Sequence, residues 1–375
     1  MSFARLLLAV AALALGARAA PDDGFQRALP GRPLVLPADH ASHPETRTEW
    51  WYFTGPIRTE DGREFGVQAT WFRRALVAEV GQERSPLAAR DIIIYHAGVV
   101  GVQGDERRRF AEQAMRLGGG WARASTATTD VALLEHQLVD PTGLGETWQL
   151  SFGAEDAWLE LTADLTADEP LLHGREPGLS IKGHEAGQAS WYYSLPRLPV
   201  RGTLRLGDGE PVAAEGELWF DHEFGSSQLG AQQVGWDWFS VALDDGSELM
   251  LYRMRLADGT GDTTSSGTLR RADGTRRHLR YEDFRMEAPS TWTSPETGIA
   301  YPTDWVLSVP DEDLELRVTP RRPDQEFGGD GVTGIVYWEG LCRFEGRSGE
   351  TAVSGDGYVE LVGYGEAITS RFATP

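Results

Sequence analysis

The chain has one cysteine and one lysine in 375 residues. Cys342 has no partner for an internal disulfide, so a hydrophobic core has to hold the fold. Its setting, YWEGLCRFEG, reads as a strand and suits a small buried hydrophobe better than a nucleophile. With Lys182 the only lysine and a formal net charge of −22, there is no basic run, which argues against nucleic acid and anionic membranes as partners. The apolar run from Leu6 to Ala17 is too short for a comfortable transmembrane helix. It follows Arg5 and leads into Ala-Arg-Ala, so residues 1–19 read as a secretory signal cleaved after Ala19. Export to the periplasm is the expected localisation. The eight histidines are scattered without metal-ligand spacing, and His222-Glu223-Phe224-Gly225-Ser226 lacks the second histidine of a helical zinc site. No Gly-x-Ser-x-Gly elbow occurs, and Gly118-Gly119-Gly120 lacks a phosphate-loop lysine. No metal and no cofactor is expected.

Tryptophan is abundant at 13 residues, and glycine at 44 points to many turns. Short segments rich in β-branched and aromatic residues succeed one another: GREFGVQATWFRR, DIIIYHAGVVGV, ETWQLSFGA, WLELTADL and SWYYSLPR. Asp-Gly pairs such as Asp61-Gly62 and Asp245-Gly246 mark hairpin turns between strands. Helical periodicity is confined to Asp105–Leu117 and Ser85–Ala89. The chain therefore reads as all-β, with sheets that close on themselves to hide their edges. Residues 20–36 read as a surface leader. WWYFTGPIRTEDGREFGVQATWFR (Trp50–Arg73) is echoed by GWDWFSVALDDGSELMLYRMR (Gly235–Arg255), both an aromatic strand, an Asp-Gly turn and an apolar strand. Either this is a chance likeness of hairpins or there are two related units, with a boundary near Pro199–Asp208 that gives domains 37–205 and 206–375.

Side chains on a strand alternate between faces. In GELWFDHEFG, Leu218, Phe220, His222 and Phe224 share one face, and Glu217, Trp219, Asp221 and Glu223 the other. His222 is then one titratable group on an apolar face, either a core histidine or an acid–base group in an apolar cavity. In GWDWFSV, Trp236, Trp238 and Ser240 face away from Asp237 and Phe239. Asp237 is either an edge residue in water or a buried acid. Trp50, Tyr52, Tyr252 and Glu339 divide in the same way between core and site. The acidic face of GELWFDHEFG also admits a rival reading, the carboxylate set of a β-sandwich glycosidase.

HPETRTEWWYFTG, IKGHEAGQASWYYSLPR, GELWFDHEF, VGWDWFSVALDDGSELMLYRMR, TSPETGIAYPTDW, YWEG and GYVELVGY occur in that order. Together, from Pro37 to Tyr364, they resemble the carotenoid 1,2-hydratase / AttH-type lipocalin-like family. The resemblance implies two tandem lipocalin-like antiparallel β-barrel domains and a small apolar ligand: an isoprenoid, polyene or lipid. It implies hydration of a C=C bond, with an acid protonating the alkene, aromatic faces stabilising the cation and water adding. It places a catalytic histidine on His222 and a tyrosine on Tyr252. Phe224 and the arginines Arg253 and Arg255 depart from the hydratase pattern, so Asp237 or Glu339 is expected to supply the proton. Trp50, Tyr52, Phe224, Trp236, Trp238 and Tyr337 are the expected ligand contacts. The alternative is a non-catalytic periplasmic carrier accessory to a membrane transporter.

Overall fold

A computed structural model describes residues 23–78, 89–103, 107–226, 229–328 and 331–367. The expected signal and residues 85–88 of the second expected helix lie outside them. The first sheet has 13 antiparallel strands. They are β1 (Thr48–Thr59), β2 (Glu64–Ala75), β3 (Asp91–Gly101), β4 (Arg108–Arg116), β5 (Ala122–Ala124), β6 (Asp130–Leu133), β7 (His136–Val139), β8 (Thr147–Ala154), β9 (Ala157–Asp164), β10 (Leu171–Leu172), β11 (Leu179–Ile181), β12 (Ala189–Leu206) and β13 (Val212–Gly225). The second sheet has 10: β14 (Gln233–Ala242), β15 (Glu248–Leu256), β16 (Ser266–Arg270), β17 (Arg276–Arg280), β18 (Arg285–Thr293), β19 (Ala300–Val309), β20 (Leu314–Pro320), β21 (Glu326–Gly328), β22 (Val336–Ser348) and β23 (Thr351–Val362).

The two sheets repeat one topology. In the first, strand order runs β4-β3-β2-β1-β13-β12-β9-β8-β7-β6-β5, a nearly closed barrel. In the second it runs β17-β16-β15-β14-β23-β22-β20-β19-β18, a half-barrel. In each, the first hairpin pairs its opening strand with the last strand of the sheet. The echoing segments are those opening hairpins, β1–β2 and β14–β15. The division expected after residue 205 falls at the β12–β13 hairpin, whose strands belong to one sheet. The chain passes from the first sheet to the second between Gly225 and Gln233.

The helix expected over Asp105–Leu117 is a correction. Residues 108–116 form β4, paired with β3 from Arg108 opposite Val100 to Arg116 opposite Ile92. The exposed edge of β3 outweighs a weak local helical period, because pairing satisfies a whole row of backbone groups. The helical elements among the described residues are four single 3₁₀ turns.

Each barrel has its own packed interior. The first is filled by Trp51, Phe53, Phe65, Trp71, Tyr95 and Trp148 among others, all fully buried. The second is built on Phe239, Tyr301, Trp305, Trp338 and Phe344, with Cys342 buried among them as expected. The outer faces of the opening hairpins do not meet water. They pack on each other in a third cluster containing Tyr52, Tyr192, Trp219, Trp238, Tyr252 and Tyr358. Ion pairs ring this contact: Arg321 with Glu64 (2.7 Å), Arg197 with Glu248 (2.6 Å) and Arg108 with Asp324 (2.9 Å).

Gly66 on β2 shows how close the barrels lie. A Cβ there would sit 2.9 Å from the Leu341 Cβ and 2.9 Å from the Tyr358 hydroxyl of the second barrel. Gly66→Val is therefore expected to lower stability by about 1–3 kcal/mol through overpacking, read from urea denaturation midpoints.

Candidate functional site

Two buried polar networks flank β1, one on each face. The inner one closes the mouth of the first barrel. Glu49 on β1 lies directly across from Arg73 on β2 and bonds to it at 3.0 Å. The segment before β1 folds over this pair. His43 Nδ1 donates to Glu49 (2.8 Å) and its Nε2 to Asp39 (3.0 Å). Burial pushes the His43 pKa down, but bonds to Asp39 and Glu49 outweigh it and raise the value to about 9. Burial likewise pushes Glu49 up, and the bonds from His222 and His43 with the charges of His43 and Arg73 hold it well below the usual range. His222 sits on the apolar inner face of β13, fully buried, stacked on Trp51. Its Nε2 donates to Glu49 (3.0 Å) and its Nδ1 accepts from the Tyr193 hydroxyl (3.1 Å). Tyr193 also bonds His40 at 2.5 Å, and His40 is held neutral, its pKa lowered to about 3 by burial and by His222. Phe224 stacks on His43 with ring centroids 3.5 Å apart. The ligand atoms of His43, Glu49 and His222 lie within 4.8 Å of one another. A protonated His43 has no lone pair to offer, and Glu49 is committed to Arg73, so this donor set suits an ion-pair network rather than a metal.

The outer network lies between the barrels. Alternation along β1 sends Trp50 and Tyr52 outward, and along β13 it sends Trp219, Asp221 and Glu223 the same way. Strand register assembles them into rows. Trp50, Glu223 and Tyr192 lie side by side, and next to them Tyr52, Asp221 and Ser194. The facing barrel contributes Tyr252, Trp238, Glu360 and Glu339 in one row, and Met254, Trp236, Val362 and Tyr337 in the next. The result is a cage of four carboxyl groups walled by aromatic rings.

Hydrogen bonds fix each acid. The Tyr52 hydroxyl donates to Glu339 across the interface at 2.5 Å. Asp221 accepts from Ser194, from Tyr192 (2.7 Å) and from Trp219 Nε1 (2.6 Å). Glu360 accepts from Trp236 Nε1 (2.7 Å), and Trp238 Nε1 donates to the Tyr192 hydroxyl (3.1 Å). Burial dominates the electrostatics. It outweighs the hydrogen bonds on Asp221 and pushes that acid up to about 7. Burial and the charges of Asp221 and Glu223 push Glu360 up to about 7 as well. Burial and Glu360 carry Glu339 well above its ordinary value. Near neutrality the cage thus holds carboxylic acids able to give a proton.

The predicted residues divide between these places. Trp50, Tyr52, Trp236, Trp238, Tyr252, Tyr337 and Glu339 come together in the cage. His222 and Phe224 lie on the other face of the same sheet, inside the first barrel. Asp237 points into the second barrel, where Arg253 (2.7 Å), Arg255 (3.2 Å) and the Tyr364 hydroxyl (2.7 Å) occupy both its oxygens. The two arginines of the expected acid position are thus its partners, and Asp237–Arg253 matches Glu49–Arg73 as a cross-strand pair of the opening hairpin. Asp221, Glu223, Glu360 and Lys182 were not among the predicted site residues. Their signal was present: a strand face bearing Trp219 beside Asp221 and Glu223, opposite an apolar face, is a sheet buried on both sides. Asp221 and Glu223 are covered by the second barrel rather than lining an open groove of the kind a glycosidase would need.

The sequence pattern of a family described as AttH-like matches residues 27–364 of this chain. Among solved structures, an AttH from Nitrosomonas europaea is 32% identical and superposes with a TM-score of 0.79, covering 91% of this chain and 100% of that one. Kievitone hydratase from Nectria haematococca is 16% identical with a TM-score of 0.67, covering 92% and 98%. At that identity the likeness is one of fold. No curated protein sequence gives a significant match.

The inner network makes two predictions. Glu49→Gln leaves Arg73 and His43 buried without their carboxylate and is expected to cost about 3–5 kcal/mol in urea denaturation. His43, raised in the folded state from 6.5 to about 9, gives stability that is complete below pH 6.5 and lost as pH rises through 9. Stability should therefore fall by about 3 kcal/mol as pH rises from 6.5 through 9, and this fall should flatten in His43→Asn.

Proposed function

This chain belongs to the AttH-like family, and on that footing we propose that it takes a small apolar isoprenoid, polyene or lipid into the cage between its barrels and hydrates a C=C bond there. The observation that carries the reading is the set of buried carboxyl groups, Asp221, Glu339 and Glu360, gathered among aromatic rings, where burial raises their pKa values. An ordinary carboxyl is ionised near neutrality and has no proton to give. A desolvated one keeps its proton there, and the rings of Trp50, Trp236, Trp238 and Tyr192 lower the barrier by stabilising the cation. Asp221 is the proton donor in this reading, since its carboxyl lies at the centre of the first barrel's row. Glu339 and Tyr52 form one donor pair across the interface and hold the far wall. Tyr252 and Tyr337 border the same rows. A hydratase of the same fold, kievitone hydratase, lends support. His222 and Phe224 then act from behind, stiffening β13 from its inner face, and Asp237 does the same for β14. The signal-like start supports work in the periplasm.

The test is incubation of the purified protein with an acyclic polyene in oxygen-18 water, followed by mass spectrometry. A labelled tertiary alcohol is expected from the wild type. Asp221→Asn should lower turnover at least about a hundredfold, within the range that general acid catalysis supplies, while the polyene still co-purifies. Polyene retained by the wild type without any labelled product would favour the carrier instead. No retained polyene would overturn both readings.

A further inference from the structure

The only lysine of the chain lies inside this cage. Lys182 follows β11, the short strand that pairs with β12 and closes one side of the contact between the barrels. Its ammonium is buried, 3.2 Å from Glu223 and above the rings of Tyr252 (4.0 Å) and Tyr192 (4.8 Å). Its backbone carbonyl is pinned by the Gln233 amide (2.8 Å) and the Thr264 hydroxyl (2.9 Å) of the second barrel. Glu223 also accepts from the Ser190 hydroxyl.

Charge counting makes this placement decisive. Asp221, Glu223, Glu339 and Glu360 share the cage. Among the described groups facing them, Lys182 is the one ammonium. The other nearby base, His173, is tied to Ser194 (2.6 Å) and Thr268 (2.9 Å) and is held neutral by burial and by the charges of Lys182, Arg276 and His278. A buried carboxylate without a cation is costly, so one ammonium supports one carboxylate. We infer that Lys182 is a positioning residue that keeps Glu223 ionised as the water-activating base, and so divides the cage into one base and a set of acids. The inference rests on the hydration reading above and deepens it.

The division balances the reaction. Asp221 gives its proton to one alkene carbon and becomes a carboxylate, leaving a cation on the other carbon. Water bonds to that cation and yields a proton to Glu223. One water has then been added across the double bond. Asp221 and Glu223, two residues apart on one strand face and about 7 Å from each other, return to their starting states when the proton passes from Glu223 to Asp221 through an intervening water. Groups whose surroundings drive them to opposite protonation states are the usual mark of an acid and a base in one site. The groups facing Glu223 fit this role: Trp50 from β1, Tyr192 and Ser190 from β12, Asp221 from its own strand and Glu360 from β23, while Tyr252 from β15 lies against the Lys182 ammonium.

The test needs no substrate, so its failure is distinct from failure of the hydration reading. Infrared spectra at pH 7 count protonated carboxyls by their carbonyl band. Lys182→Met is expected to increase that band by one carboxyl. The gain should be absent in Lys182→Met/Glu223→Gln, and Lys182→Arg should match the wild type. An unchanged band in Lys182→Met, or a gain that persists without Glu223, would overturn the inference. Should Lys182→Met not fold, carbon-13 labelling of the single lysine gives one resonance to titrate. Glu223→Gln should then lower its midpoint more than Asp221→Asn does, and equal shifts would contradict the assignment.

Discussion

Burial of both faces of the same strands is the constraint on which the rest depends. β1, β13, β14 and β23 each turn one face into their own barrel and the other onto the neighbouring barrel. Where the barrels meet, a side chain on either face must therefore find its partners mostly in protein, because little water reaches it. This requirement accounts for the repeated aromatic signature. Trp51 and Phe53 fill the first barrel while Trp50 and Tyr52, their sequence neighbours, wall the cage; Phe239 and Trp238 divide in the same way in the second. The same rule explains the glycines at closest approach, where any side chain would separate the barrels.

Within this frame, similar residues end in opposite chemical states. Inside each barrel the carboxylates are matched by cations: Glu49 by Arg73 and His43, Asp237 by Arg253 and Arg255. Between the barrels carboxyl groups outnumber cations, and burial drives the surplus toward the neutral acid. The interior networks thus lock the opening hairpins by charge, and in the cage between them burial raises the pKa values of the carboxyl groups. The two settings lie on opposite faces of one sheet, and strand alternation decides which side chain enters which.

The sequence made much of this legible. Strand alternation placed His222 on an inner apolar face and Trp236 and Trp238 opposite Asp237, and the Trp50–Arg73 echo marked two hairpins in equivalent positions. Other features depended on contacts between distant segments. Nothing near Asp105–Leu117 indicated that β3 would need a partner strand. Asp221 and Glu223 read as the carboxylate set of a rival glycosidase, and only the fold shows the second barrel lying over them. Arg253 and Arg255 stood out as departures from a pattern, and only the fold shows Asp237 between them. Lys182 was visible as the lone lysine, but its meaning comes from Glu223, which lies beside it only when β11 pairs with β12.

The measurement that bears most directly on this account is photoaffinity mapping with an acyclic polyene carrying a diazirine. After irradiation, digestion and mass spectrometry, the account predicts label on Trp50, Tyr52, Tyr192, Trp236 and Trp238, the outward faces that meet between the barrels. Label concentrated on Trp71, Tyr95 and Trp148 would place the ligand inside the first barrel, and would contradict it.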